Sequence, residues 1–379
     1  MIDRRRFLSS GLSAGVAARL ALGTAPLAGC APTARLIQSP DIIGHVQPVF
    51  VATSRGMQAD PQLAFGSDRE TPPHFARYDI AVPPDRKPGE IRLPRANPDP
   101  TREFLTKSAV AFPTEAPMVR QINQAMAKLP RGERTLILFV HGYNVTFPAA
   151  VLRAAQISED FGFKGPMLLY SWPSAGRVTE YIYDRDSTLF ARNDLAALLR
   201  NVAKSKAERI VVLAHSLGSF LTMEAARTLA LQRETAVLNR IRGLVLAEPD
   251  IDMSVFRQQL EPHDMQRLTV MVMGSRRDRA LRVSRFIAGG HARVGSAVDI
   301  PELQRLGVIY VDVTGASDGT MADHSAFSSS PELLALISSG ALAQTILSGT
   351  AGTDILVGGL RAAGNAALAI AYLPYAMSN

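Results

Sequence analysis

Ser216 is the residue whose surroundings are best suited to chemistry. It stands in Ile210-Val211-Val212-Leu213-Ala214-His215-Ser216-Leu217-Gly218, an apolar run that passes into a helical pattern through a serine flanked by small side chains. A serine hydroxyl is a weak nucleophile until a neighbouring base takes its proton. A sharp strand-to-helix turn exposes the oxygen to such a base and offers backbone amides beside it. The turn brings strand and helix so close that only small side chains fit two positions before and after the serine. Ala214 and Gly218 meet that need, although Ala214 departs from the strict Gly-x-Ser-x-Gly pattern. A serine after a buried strand could equally be a plain helix N-cap. The strand before it and the helix after it favour a nucleophile.

A base and an acid must come from further along the chain. Of the seven histidines, His324 in Asp323-His324-Ser325 follows the last strong strand pattern and is the expected base. His291, in Gly289-Gly290-His291, is the alternative, with His263 behind it. The acid accepts a hydrogen bond from the imidazole and holds its tautomer. Asp278 and Asp250 each lie just beyond an apolar run; Asp278 is the first choice and Asp250 the second. His141-Gly142-Tyr143-Asn144 follows an earlier strand pattern. The amides of Tyr143 and Leu217 could there stabilise a carbonyl oxygen that becomes negative during acyl transfer. Asp184, Asp186 and Asp194 could suggest a cation site, but they read as the solvated start of a helix. There is no Gly-x-x-x-x-Gly-Lys loop, no Cys/His cluster and no His-Glu-x-x-His helix, so no cofactor and no metal is expected.

The elements that must hold these residues are legible as apolar runs. Leu136–Val140, Met167–Trp172, Ile210–Leu213, Leu244–Leu246, Leu268–Met273 and Val308–Val311 are apolar at successive positions. That pattern suits strands covered by helices on both faces. Between them lie helical patterns: Leu195, Leu198, Leu199 and Val202 make one stripe, and Thr146 is placed to cap a helix that tolerates Pro148 in its first turn. Alternating strands and helices imply a mostly parallel central sheet, in which sites form beyond the carboxyl ends of the strands. Residues 31–130 hold short β-like runs, Val49–Ala52 and Tyr78–Val82, but, broken by Pro83, Pro84, Pro94, Pro98 and Pro100, they read as an irregular lead-in that packs on a domain spanning 131–340. The Ala- and Gly-rich stretch 341–379 is interrupted by Arg361 and Asn365 and is not a membrane span; it would pack on the domain or lie on a lipid surface.

Several blocks in this order resemble a known family. Phe139-Val140-His141-Gly142-Tyr143-Asn144, Tyr170-Ser171-Trp172-Pro173-Ser174, Ala214-His215-Ser216-Leu217-Gly218, Pro249-Asp250-Ile251-Asp252 and Asp323-His324-Ser325 resemble an esterase/lipase-like bacterial branch of the α/β-hydrolase superfamily, long filed as a domain of unknown function. The likeness implies an α/β-hydrolase fold and Ser216, Asp278 and His324 as a triad. It implies little about the substrate.

The N-terminus reads as an address. Arg4-Arg5-Arg6-Phe7-Leu8 resembles a twin-arginine export signal, and Leu27-Ala28-Gly29-Cys30 resembles a lipobox, in which the sulfur of Cys30 takes a lipid and residues 1–29 are removed. Cys30 is the only cysteine. The expected location is the bacterial envelope, facing the periplasm, with Ala31 leaning towards the outer membrane. The net charge of +7 comes partly from those leading arginines, and no basic stripe with interleaved aromatics points to nucleic acid. The expected reaction is hydrolysis of a small-molecule or lipid-like carboxylic ester through an acyl-enzyme. Amide or peptide hydrolysis on the same triad, or a non-catalytic envelope lipoprotein with this fold, are the alternatives.

Overall fold

The computed structural model describes residues 34–287, 289–296, 299–316, 324–330, 334 and 370–372. Its strands are β1 (His45–Met57), β2 (Phe65–Val82), β3 (Leu105–Phe112), β4 (Thr135–Val140), β5 (Met167–Ser171), β6 (Arg209–His215), β7 (Ile241–Ala247), β8 (Val270–Gly274), β9 (Ile309–Asp312) and β10 (Ile370–Tyr372). The helices are α1 (Glu115–Ala127), α2 (Phe147–Asp160), α3 (Tyr181–Ala203), α4 (Leu217–Leu231), α5 (Thr235–Leu238), α6 (Met253–Leu260), α7 (Arg279–Ile287), α8 (Ile300–Arg305) and α9 (Ala326–Ser329). Among the described residues no helix is long and apolar enough to cross a membrane.

The strands form one sheet in the order β10-β9-β8-β7-β6-β4-β5-β1-β2-β3. From β9 to β1 every neighbouring pair is parallel, and antiparallel strands close both ends. The apolar runs explain this. In β4, Leu136, Leu138 and Val140 pack to one side with α3 and α4, while Ile137 and Phe139 pack to the other with α2. Successive side chains of a strand alternate between faces, so a run that is apolar throughout must be covered on both. Each fully buried aliphatic side chain contributes about 1.5–3 kcal/mol. The chain is thus an α/β protein with the α/β-hydrolase architecture.

The irregular lead-in expected over 31–130 is a correction. Residues 45–112 supply three long strands, and β1 adds to the parallel sheet beside β5 through Val49–Thr53. The prolines do not prevent this, because Pro83, Pro84, Pro94, Pro98 and Pro100 all lie in the connection between β2 and β3. Pro72 and Pro73 sit where the β1–β2 register breaks between Thr53 and Arg55, so no ladder bond is lost there. Thr146 occupies the N-cap of α2 without making a side-chain cap bond. Pro148 at the second helical position has no N–H to donate to it. Of the C-terminal stretch, residues 370–372 pair with β9. The rest of it, like the signal and lipobox residues, lies outside the described residues.

These three strands share the main core, and Ile80 is fully buried within it. Ile80→Ala should therefore cost about 2–5 kcal/mol and lower the midpoint of a single denaturant transition for the whole domain. An early separate transition, with the parallel sheet intact, would contradict shared folding.

Candidate active site

Ser216 sits between β6 and α4 at φ 51, ψ −123, and is only 2% exposed. A non-glycine residue in this region carries strain of about 1–3 kcal/mol and persists only where its surroundings hold it. Four features hold it. Its amide donates to the Ala247 carbonyl at 3.0 Å, and its carbonyl accepts from the Asp250 amide at 3.3 Å. A side chain at Gly218 would lie 2.2 Å from the His141 carbonyl oxygen, so helix and loop touch backbone to backbone. A side chain at Gly142 would likewise lie 3.0 Å from the Ser216 Cβ.

Across the same sheet edge, His324 Nδ1 donates to Asp278 Oδ2 at 2.6 Å. Asp278 is 1% exposed, and its Oδ1 accepts from the amide of Leu281 in the first turn of α7. Glu248, buried at the end of β7 with φ 48, brings its Oε2 to 3.8 Å from His324 Nδ1 and 3.4 Å from His215 Nε2. Burial opposes a charge on His324. The hydrogen bond and charge of Asp278, with the charges of Glu248 and Asp250, outweigh that and raise it to about 9. His215 is pushed well below 6.5, first by burial and then by the charge of His324. It is therefore neutral, and its Nε2–H donates to the His324 carbonyl at 2.7 Å, fixing the backbone that carries the base candidate.

The alternatives named from sequence are placed elsewhere. Asp250 is saturated by other partners: the Tyr181 hydroxyl at 2.9 Å, the Ser284 hydroxyl at 2.6 Å and Arg293 Nε at 3.2 Å. His291 is exposed on the loop after α7, and His263 begins a short 3-10 turn. The ligand atoms of His215, Glu248 and His324 lie within 4.8 Å of one another, which makes these three the residues among those described that could hold a metal. The nitrogens on the Glu248 side are already engaged, His215 Nε2 on a carbonyl and His324 Nδ1 on Asp278.

Beneath the 141–145 loop lies a buried polar network. Asp184 is fully buried rather than solvated, which corrects its reading as a hydrated helix start. It begins α3 facing inward, where it accepts from the amides of Asn144 (3.0 Å) and Ala175 (2.7 Å) and from the Ser174 hydroxyl (2.6 Å). Arg55, buried in β1, donates to the carbonyls of Val145 (2.7 Å), Ser174 (2.9 Å) and Gly66 (2.7 Å) and to Ser171 Oγ (2.9 Å). Burial lowers Arg55 to about 9, with Asp184 opposing, so it stays cationic at neutral pH. His141 is lowered to about 3, first by burial and then by Arg55. Its Nδ1–H donates to the Gly142 carbonyl, and its carbonyl accepts from the Trp172 indole at 2.7 Å.

Residues 115–340 match a protein family described as an alpha/beta hydrolase of unknown function, DUF900. The chain belongs to this family. No curated protein matches it. Solved structures similar to this hydrolase include a predicted CIB-like hydrolase from Thermoplasma acidophilum, 13% identical over 56% of this chain and 87% of that one, with a TM-score of 0.30. A Trichoderma reesei cutinase with a phosphonate inhibitor is 14% identical over 42% and 76%, with a TM-score of 0.25. A Pyrobaculum calidifontis esterase is 11% identical over 81% and 86%, with a TM-score of 0.34.

A cavity of about 400 Å³ adjoins His215 and His324 in this hydrolase, with Ile91, Leu93, Phe139, Leu152 and Phe327 among its walls. Two residues went unnoticed in the sequence. Glu248 had a visible signal, a carboxylate immediately after a strand at the edge that carries Ser216. Arg55 had a weaker one, a lone arginine shortly after the apolar run Val49–Ala52. Replacing Asp184 by Ala strips an acceptor from two amides, a hydroxyl and the field of Arg55. The expected loss is about 3–5 kcal/mol, read from the urea midpoint; an unchanged midpoint would show that the network is not stabilising.

Proposed function

We propose that this protein is a serine hydrolase that cleaves carboxylic esters through an acyl-enzyme. The observation that carries the reading is the 2.6 Å bond between His324 and buried Asp278 at the sheet edge where the turn at Ser216 emerges. With Nδ1–H committed to Asp278, Nε2 of His324 is the nitrogen left for proton transfer. Ser216 Oγ attacks the ester carbonyl carbon and its proton passes to that nitrogen. The carbonyl electrons move to oxygen, where the amides of Tyr143 and Leu217 receive the charge. Collapse expels the alcohol, which takes the proton from His324. Water, deprotonated in turn by His324, attacks the acyl carbon and releases Ser216. Asp278 holds the imidazole through Nδ1 throughout, and the charge of Glu248 also favours the imidazolium. The largely apolar cavity beside the histidines supports a small-molecule or lipid-like ester.

Two consequences are measurable. Ser216→Ala should reduce kcat on a p-nitrophenyl ester by roughly 10⁶-fold and abolish labelling by a fluorophosphonate, with thermal unfolding retained. Labelling of the variant, or none of the parent, would return the fold to a binding role. Because the base must be neutral and His324 is raised to about 9, the active fraction grows as pH rises. The rate at low substrate should climb through the alkaline range with an apparent pKa well above 6.5; a plateau from pH 6 would contradict it.

The reading extends to location. Residues 4–8 and 27–30 support export and attachment to a bacterial membrane through lipid on Cys30, facing the periplasm. Cys30→Ser should move the protein from the membrane fraction to the soluble one, and a variant that stays membrane-bound after a carbonate wash would refute lipid anchoring.

A further inference from the structure

Helix α7 begins on the carboxylate that holds His324 and ends in solvent. Asp278 uses one oxygen for the Leu281 amide and the other for the imidazole. The helix buries Leu281 and Ser284, and Ser284 contacts Asp250 and the Tyr181 hydroxyl at the start of α3. At about 3.6 residues per turn, the side turned away from Leu281 and Ser284 carries Val283 and Phe286, with Ile287 next to them. Phe286 is 85% exposed, Val283 58% and Ile287 53%. Across the Tyr181–Ser284 contact, Val178 and Ile182 add exposures of 72% and 67%. Three large apolar side chains exposed on one side of a nine-residue helix are more than scattered surface hydrophobics.

Along residues 276–285 the exposed charge has one sign, whereas Glu180, between Val178 and Ile182, is paired with Arg177. Arg276, Arg277, Arg279, Arg282 and Arg285 are all exposed, whereas Asp278, the acid within that run, is buried against His324. Arg279 and Arg282 share the exposed side with Phe286 and Val283, and their stems can lie along the apolar crest while the guanidinium groups stay in a polar layer; Arg285 donates to the Gly290 carbonyl at the end of the helix.

We propose that this face docks on an anionic phospholipid bilayer. Phe286, Val283 and Ile287 enter the boundary between headgroups and acyl chains, and the arginines meet lipid phosphates, which match the guanidinium fork. A second copy of the chain is a poorer occupant, because a two-fold pairing would set arginines against arginines. Docking here turns the sheet edge with Ser216 and His324 towards the membrane. The proposal concerns binding and does not depend on ester hydrolysis.

The test uses the full chain with F286W. Trp172, the single native tryptophan, is fully buried, so its emission is a constant background measured on the parent, and the difference spectrum reports on α7 even if the N-terminus tethers the protein elsewhere. With equimolar phosphatidylglycerol and phosphatidylcholine vesicles, its emission should shift to the blue and be quenched by brominated acyl chains. Pure phosphatidylcholine should give little shift. Adding R279Q or R282Q should weaken vesicle affinity by about fivefold each at low salt. Emission that stays at its aqueous wavelength while the protein sediments with vesicles would overturn the proposal. So would a blue shift that needs no vesicles and grows with protein concentration, which would mark self-association. Hydrolysis of a p-nitrophenyl ester is read separately on the parent, where its absence would count against the enzymatic reading and leave the fluorescence result standing.

Discussion

The close approach of α4 to the 141–142 loop is the constraint on which the site depends. Gly218 meets the His141 carbonyl with no room for a side chain, and a side chain at Gly142 would crowd His215 Nδ1 and the Ser216 Cβ. This contact keeps Ser216 at a positive φ that it would not adopt in an open chain. It also makes the position of one loop and the direction of one helix a single variable. A serine held this way cannot rotate its backbone out of the site without separating two backbones that are packed together.

Two buried carboxylates set the rest of the geometry, one on each side of that contact. Asp184 gathers amides from the loops after β4 and β5, and Arg55 crosses under them from β1 to carbonyls of the same loops. The N-terminal strands are therefore part of the support of the 141–145 loop, which explains why they are built into the main sheet. On the other side, Asp278 ties His324 to the start of α7. His215, next to Ser216, donates to the His324 carbonyl and so links β6 to the segment after β9. Charges buried this way are costly alone and useful only when fully partnered.

Much of this was readable along the chain. The six apolar runs all became strands, and the stripe of Leu195, Leu198, Leu199 and Val202 faces the core. These signals are local: the period of apolar residues within a dozen positions decides whether a segment can be buried on one face or two. In the β1–β3 region the short runs Val49–Ala52 and Tyr78–Val82 mark the apolar cores of β1 and β2, while the full length of the strands and their place in the sheet are not local properties. β1 carries buried Arg55, and the carbonyls of Val145 and Ser174 that accept from it are supplied from far along the chain. Asp184 misled for the same reason, since an acid at a helix start is normally hydrated and only the fold shows what covers it.

The sequence by itself determined the parallel sheet, the turn at Ser216 and the two small residues that permit it, because sterics and hydrophobic periodicity act between near neighbours. It also narrowed the acids beyond β7 and β8 to Asp250 and Asp278. Only the tertiary structure decided that Asp278 meets His324 while Asp250 is taken by Tyr181, Ser284 and Arg293. It likewise decided that Glu248 stands beside both histidines. Those pairings join residues tens of positions apart, and which side chains meet there depends on strand order and register across the sheet, which no local pattern carries.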